Sequence, residues 1–291
     1  MAENVSQIKV DCHTHLWESA SQLGKCNSNF RLKNNPSASR LASSYDLIIA
    51  SEPVTISFLL GFRSRLLNVD IPNKFIADCS YQYREKIIGF GCIDPTSDNI
   101  KEQTQQILKN YNLAGFVISP AGQGFHPNSS SAMQLYDYAA EHNAPIIIHS
   151  GQPFGAPAAE FSNPILWTEI IREYSQIKFI FTDMGWPWSD QLMLLLAEYE
   201  NAYTDTAGLV QRQWTGYQTL VKADQMGVID KFLLASDFPA SNAASTIESI
   251  YNINQIASNT NLPTIARQKL KAIVERDVLK ILELKPKGLS E

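Results

Sequence analysis

Two histidines flank one residue in Asp11-Cys12-His13-Thr14-His15, directly after the apolar run Ile8–Val10. On a strand, side chains alternate between faces, so His13 and His15 point the same way and their imidazoles come within reach of one ion. The pair is half of a metal site, or it is two loop histidines; the spacing alone leaves both readings open. Cys12 alternates away from the pair and reads as packing.

Further along, other polar residues follow apolar runs in the same manner. His149 follows Ala144–Ile148, Asp183 follows Ile177–Thr182, Asp205 lies in Thr204-Asp205-Thr206, and Asp237 follows Leu234-Ala235-Ser236. Imidazole nitrogens with a carboxylate suit a borderline divalent ion such as zinc, with a position left open for water. Water whose acidity is raised in that way becomes a nucleophile at neutral pH, and a carboxylate beside it can take its proton. The structural alternatives are a buried, hydrogen-bonded His149 and helix-capping roles for Asp183 and Asp237.

The elements that carry these residues repeat. Eight β-rich runs (Ile8–His13, Val54–Leu60, Lys86–Cys92, Ala114–Ser119, Pro145–His149, Ile177–Thr182, Asn201–Thr206 and Lys231–Ser236) alternate with helical patterns. Those patterns fall near 38–50, 97–110, 130–142, 163–175, 189–199, 215–226 and 242–257, with a last helix over 263–283. Eight βα repeats within 291 residues predict one α/β domain over 1–291, a parallel (β/α)8 TIM barrel. An open doubly wound sheet would carry a Gly-rich turn after its first strand, where this chain has His-Thr-His-Leu-Trp. The polar, Ser- and Asn-rich stretch Glu18–Ser39 reads as a long loop at the catalytic end.

Composition narrows the partners. The chain is 44% hydrophobic and 18% charged, with net charge −5, and has no basic patch for nucleic acid. No apolar stretch approaches the roughly 20 residues of a membrane span, and Met1–Gln7 lacks the features of a signal peptide. Cys12, Cys26, Cys79 and Cys92 form no C-x-x-C pair, which predicts free thiols in a reducing cytoplasm. A small-molecule substrate is expected, and a homo-oligomer is compatible with the composition.

Several blocks in order make the chain resemble the metal-dependent hydrolases of the "amidohydrolase 2" type, which include aminocarboxymuconate-semialdehyde decarboxylase-like enzymes. They are Asp11–His15, Gly89–Pro95, Pro145–Gly151, Met184–Trp188, Asn201–Asp205 and Ser236–Pro239. The resemblance implies a (β/α)8 barrel with one divalent metal ion, zinc being the expected one, held by His13, His15, His149 and Asp237. Two-metal relatives carry a bridging lysine after strand four; residues 114–120 here contain none.

The implied activity is hydrolysis of a small carboxylate, amide or lactone, with Asp237 taking the proton of water. Nonoxidative decarboxylation of a small unsaturated or aromatic acid is the alternative, and a catalytically silent binding protein is a further one. The further one arises because the family has a histidine after strand six, where this chain has Asp183. Aspartate ordinarily titrates near 3.9 and histidine near 6.5, so Asp183 beside a cation is a poor proton donor but can accept a proton, a metal or a water.

Arg63, with Arg65 beside it, is a candidate for a substrate carboxylate. Trp186 and Trp188, and with them Trp17 and Trp214, are candidates for a pocket wall, whereas His126 and His142 read as surface residues.

Overall fold

The computed structural model describes residues 8–28, 42–150 and 158–285. Eight strands run in chain order round a single parallel sheet: β1 (Val10–Thr14), β2 (Ile56–Leu60), β3 (Ile87–Cys92), β4 (Phe116–Ile118), β5 (Ile146–Ile148), β6 (Phe179–Phe181), β7 (Ala202–Asp205) and β8 (Phe232–Leu233). Register is continuous through the middle of the sheet, where Phe116 pairs with Ile146, Ile146 with Phe179, and Phe179 with Ala202.

Backbone hydrogen bonds close the ring. Cys12 N donates to Leu234 O at 2.8 Å, Asp237 N to His13 O at 3.0 Å, and His15 N to Phe238 O at 2.8 Å. The last expected run, Lys231–Ser236, therefore forms regular pairs only over Phe232–Leu233. Beyond them the chain pairs with β1, and this seam brings the first and last functional segments together.

The strands are rich in Ile, Val and Phe and are almost wholly buried, as a parallel sheet covered on both faces requires. Around them lie α1 (Ser44–Ala50), α2 (Asn73–Gln82), α3 (Ile100–Gln105), α4 (Ser130–Glu141), α5 (Thr168–Glu173), α6 (Ser189–Glu198), α7 (Gln213–Gln225), α8 (Ala243–Asn252) and α9 (Arg267–Val274). Side chains stop several of these helices from fraying: Ser43 and Asp46 form a reciprocal cap on α1, while Asn99 and Asn242 cap α3 and α8.

Two elements are additional to those expected from the sequence: helix α2, and a short hairpin pairing Arg63–Ser64 with Val69–Asp70. Within the stretch expected as a long loop, Ala20–Ser28 forms 3-10 turns, and 29–41 lies outside the described residues, as does Gly151. All four cysteines are free and buried, and no helix among the described residues is long and apolar enough to cross a membrane.

Candidate metal centre

His13 and His15 stand at the end of β1, and His149 follows β5 directly, held by a 2.9 Å bond from its backbone N–H to Ile118 O. Their rings meet in a triangle with centroids 5.0–5.1 Å apart. One nitrogen from each lies within 4.8 Å of the others. Asp237 joins from the β1–β8 seam, its Oδ1 3.8 Å from His13 Nε2. Phe62 packs edge-on against His149 at 5.5 Å and walls one side.

Tautomers follow from the partners. His15 Nδ1 lies 2.9 Å from Leu60 O, which can only accept, so this nitrogen carries a proton. His13 Nδ1 lies 3.0 Å from Asp205 Oδ2 and donates to that carboxylate. In neutral rings both Nε2 atoms then present lone pairs, and they face each other at 3.0 Å. Two lone pairs at that separation repel unless a proton or a cation lies between them. Without a metal the proton does so. Burial pulls the His13 pKa down, but the charge and hydrogen bond of Asp205, with Asp237 and Asp183 behind it, override this and raise it to about 9. The donor set thus suits a divalent ion: inward nitrogens, the outward nitrogens of His13 and His15 pinned by acceptors, and a carboxylate alongside.

Asp205 ends β7 and is fully buried. Besides His13 it accepts from Asp183 N at 2.7 Å and Ala207 N at 3.0 Å. The sequence marked its position but not its role, which is to orient His13. Asp11 is equally hidden and supports the site from within β1, two residues before His13. It accepts from Ser236 Oγ at 2.5 Å, Ser236 N at 2.9 Å and His13 N at 3.3 Å, and burial pushes its pKa up to about 6.

Neither aspartate expected as a catalytic group serves as a helix cap. Helix α8 is capped by Asn242, with Asp237 five residues earlier at φ 60°. Helix α6 begins at Ser189, after Trp188. Asp183 and Met184 adopt φ 59° and 55°. Non-glycine residues rarely hold this left-handed conformation, and here it clusters at the ends of β6 and β8. Asp183 Oδ1 pairs with Arg212 Nη2 at 2.8 Å, and Thr182 Oγ1 donates to its Oδ2 at 3.1 Å. Arg212 drew no attention in the sequence because its partner is 29 residues away on another loop.

The remaining candidates separate. Arg63 donates from Nε to Asp70 and from Nη1 to Asp98, both at 3.1 Å, so two carboxylates already engage its guanidinium. Trp186 lies beneath Arg212, 4.9 Å from guanidinium carbon to ring centroid. Trp188 donates from Nε1 to Ser162 Oγ at 3.2 Å. Trp17 is buried in the core, whereas Trp214 is 53% exposed on α7, stacked on Tyr217. His126 and His142 are exposed.

The family model described as "Amidohydrolase" matches residues 10–275. The chain belongs to the amidohydrolase family. Solved structures similar to this amidohydrolase-family barrel include an uncharacterized TIM-barrel protein from Bordetella bronchiseptica, 15% identical, covering 94% of this chain and 98% of that one, with a TM-score of 0.72. An amidohydrolase from Burkholderia multivorans with bound zinc is 11% identical, with 96% and 100% coverage and a TM-score of 0.72. A 5-carboxyvanillate decarboxylase from Sphingomonas paucimobilis is also 11% identical, with the same coverages and a TM-score of 0.65. Among curated proteins none matches the sequence significantly. At these identities the neighbours establish the TIM-barrel fold of this amidohydrolase-family chain, in which the histidine triangle lies at the C-terminal ends of the strands.

Proposed function

We propose that the protein is a metal-dependent hydrolase with one divalent ion, zinc by the chemistry of its donors, acting on a small carboxylate, amide or lactone. The observation that carries this reading is the pair of imidazole Nε2 atoms 3.0 Å apart whose Nδ1 partners are both acceptors. His13, His15, His149 and Asp237 would hold the ion. When bound, such an ion polarises a substrate oxygen and makes water a stronger acid near neutral pH.

The chain's own residues do the rest. Asp205 keeps the proton of His13 on Nδ1, and the Leu60 carbonyl does the same for His15, so both inward nitrogens remain donors of electrons. Asp237, held at the seam by its N–H to His13 O, takes the proton of the attacking water and returns it to the leaving group. Phe62 limits water on the His149 side. Asp183 is tied to Arg212, so its negative charge is offset rather than added to that of Asp237. Four buried free thiols fit a cytoplasmic setting.

Decarboxylation is the second reading, supported by neighbours described as 5-carboxyvanillate and 2,6-dihydroxybenzoate decarboxylases. It requires protonation of carbon, which Asp237 would perform in its acid form.

Elemental analysis of protein purified without added metal, compared with His149→Ala, tests the common part. Wild type should carry one ion per chain and the folded variant none; equal content in both overturns the site. Carboxylate or amine product from a panel of lactones and amides supports hydrolysis. Stoichiometric CO2 from hydroxybenzoates replaces it with decarboxylation, and full metal content with no turnover on either panel replaces both with a binding role.

A further inference from the structure

Arg212 differs from Arg63 in how little of its guanidinium is used. It follows β7 through a tight turn, with Leu209 N bonded to Thr206 O and Arg212 N to Gly208 O. Gly208 has φ +75°, and a Cβ there would lie 2.1 Å from Arg212 Nη2. Only glycine allows the guanidinium to fold back against this turn. Trp186 holds it from another side, 4.9 Å from the guanidinium carbon. The side chain is 16% exposed, and Asp183 Oδ1 is its one acceptor among the described residues. Nε is buried without a hydrogen-bond partner. A guanidinium has five N–H groups, and a charge this deep with one protein acceptor and an orphaned Nε is costly unless a ligand completes it.

Its position is as telling as its bonding. Asp183, its partner, donates its backbone N–H to Asp205, and Asp205 receives His13 Nδ1. The arginine therefore stands beside the candidate metal centre, joined to ligand His13 through two aspartates.

We propose that Arg212 is the anchor for a carboxylate of the substrate. This rests on the reading of the mouth as a catalytic metal site and names the group on the substrate that the site recognises. A monoanion is the match, because Asp183 already offsets part of the charge and the Arg63 guanidinium is engaged by Asp70 and Asp98. A carboxylate fits one edge of a guanidinium; a phosphate dianion would call for a second cation. Arg212 is a binding residue, with Gly208 and Trp186 positioning it.

Calorimetric titration of acetate, benzoate, succinate, neutral benzamide and inorganic phosphate tests the assignment, with the metal content of each sample measured in parallel. Wild type should bind at least one of the carboxylates. Arg212→Gln should weaken that binding about tenfold or more, leave metal content unchanged and leave benzamide unaffected. Arg212→Lys should fall between, keeping charge but losing the fork. Should Arg212→Gln misfold because Asp183 loses its partner, the double variant Asp183→Asn/Arg212→Gln removes both charges together and should show the same loss. Unchanged carboxylate affinity in the folded variants, phosphate binding as tight as carboxylate, or no carboxylate bound by wild type each overturns the proposal. Carboxylate binding that depends on Arg212 in protein holding no metal would keep the anchor while the metal reading fails. Full metal content with binding indifferent to Arg212 would do the reverse.

Discussion

The mouth of the barrel has two halves built by different means. On the side of β1, β5 and the β1–β8 seam, three imidazoles are aimed from strand ends, with the Leu60 carbonyl fixing one of them, and Asp237 joins them from a left-handed backbone position; the result is a concentration of lone pairs. On the side of β6 and β7, Asp183 and Arg212 are aimed by left-handed loop residues and a glycine turn, and the result is an ion pair with donors to spare. Asp205 joins the two, accepting from His13 with one oxygen and from Asp183 N with the other. On the proposed reading, one half attracts a cation and the other receives an anion. A histidine at position 183 would place a proton carrier where aspartate instead holds Arg212, the anchor proposed for the substrate.

The largest expected effect concerns the support beneath the cation half. Asp11 is buried and its pKa in the folded protein is about 6, against an ordinary value of 3.8. The folded state thus keeps this proton over a range in which the unfolded chain has lost it. Asp11 contributes stability below pH 3.8, and that contribution is lost as pH rises through about 6. At 1.36 kcal/mol per pH unit, the loss is about 3 kcal/mol. In chelator-treated protein, Asp11→Asn should gain on wild type by about that amount between pH 4 and pH 7 in urea unfolding. Added metal should shrink the difference, because a nearby cation favours the ionised carboxylate. Parallel stability profiles for the two proteins would show that Asp11 carries no buried charge.

The residue joining the halves comes next. Asparagine at position 205 can still accept from Asp183 N and Ala207 N, but it turns an N–H toward His13 Nδ1. His13 must then place its own proton on Nε2, the nitrogen that faces the ion. Asp205→Asn should weaken metal binding roughly 10–100-fold in chelator competition while leaving the barrel folded. Retained affinity would mean that the two halves are independent.

These differences also mark what a sequence can reveal. The βα rhythm, the strand ends and the histidine pair are local patterns, because alternation and apolar runs repeat over a few residues. Helix α2 escaped because only Asn73, Ile76 and Cys79 are buried in its ten residues, too faint a stripe to stand out between strands. The Arg63–Asp70 hairpin escaped because two-residue strands show no alternation. Asp205 could have been inferred from the need of a ligand histidine for an acceptor on its second nitrogen. Arg212 could not: its meaning lies in an ion pair between two loops 29 residues apart, and in a cradle visible only once Gly208 is seen at φ +75°.

Arg63 sharpens the contrast with the smallest effect. It carries the same guanidinium as Arg212 and lies just after β2, where its sequence position suggested substrate recognition. The hairpin turns it instead toward Asp70 and Asp98, and Asp98 also accepts from Asp94 N at 2.9 Å. Gln123 fastens the same loop from Nε2 to Arg63 O at 2.7 Å. Burial raises the Asp98 pKa despite the neighbouring Arg63 charge, so removing the arginine leaves a half-buried carboxylate without its cation. Because Asp70 is 72% exposed, that half of the clasp is screened by solvent and adds little. Arg63→Gln should therefore cost about 1 kcal/mol in denaturant unfolding, nearly all of it from Asp98. Carboxylate titrations of the same variant should match wild type. A loss of carboxylate affinity comparable to that of Arg212→Gln would place both arginines on the substrate and erase the division of the mouth into a structural clasp and a binding anchor.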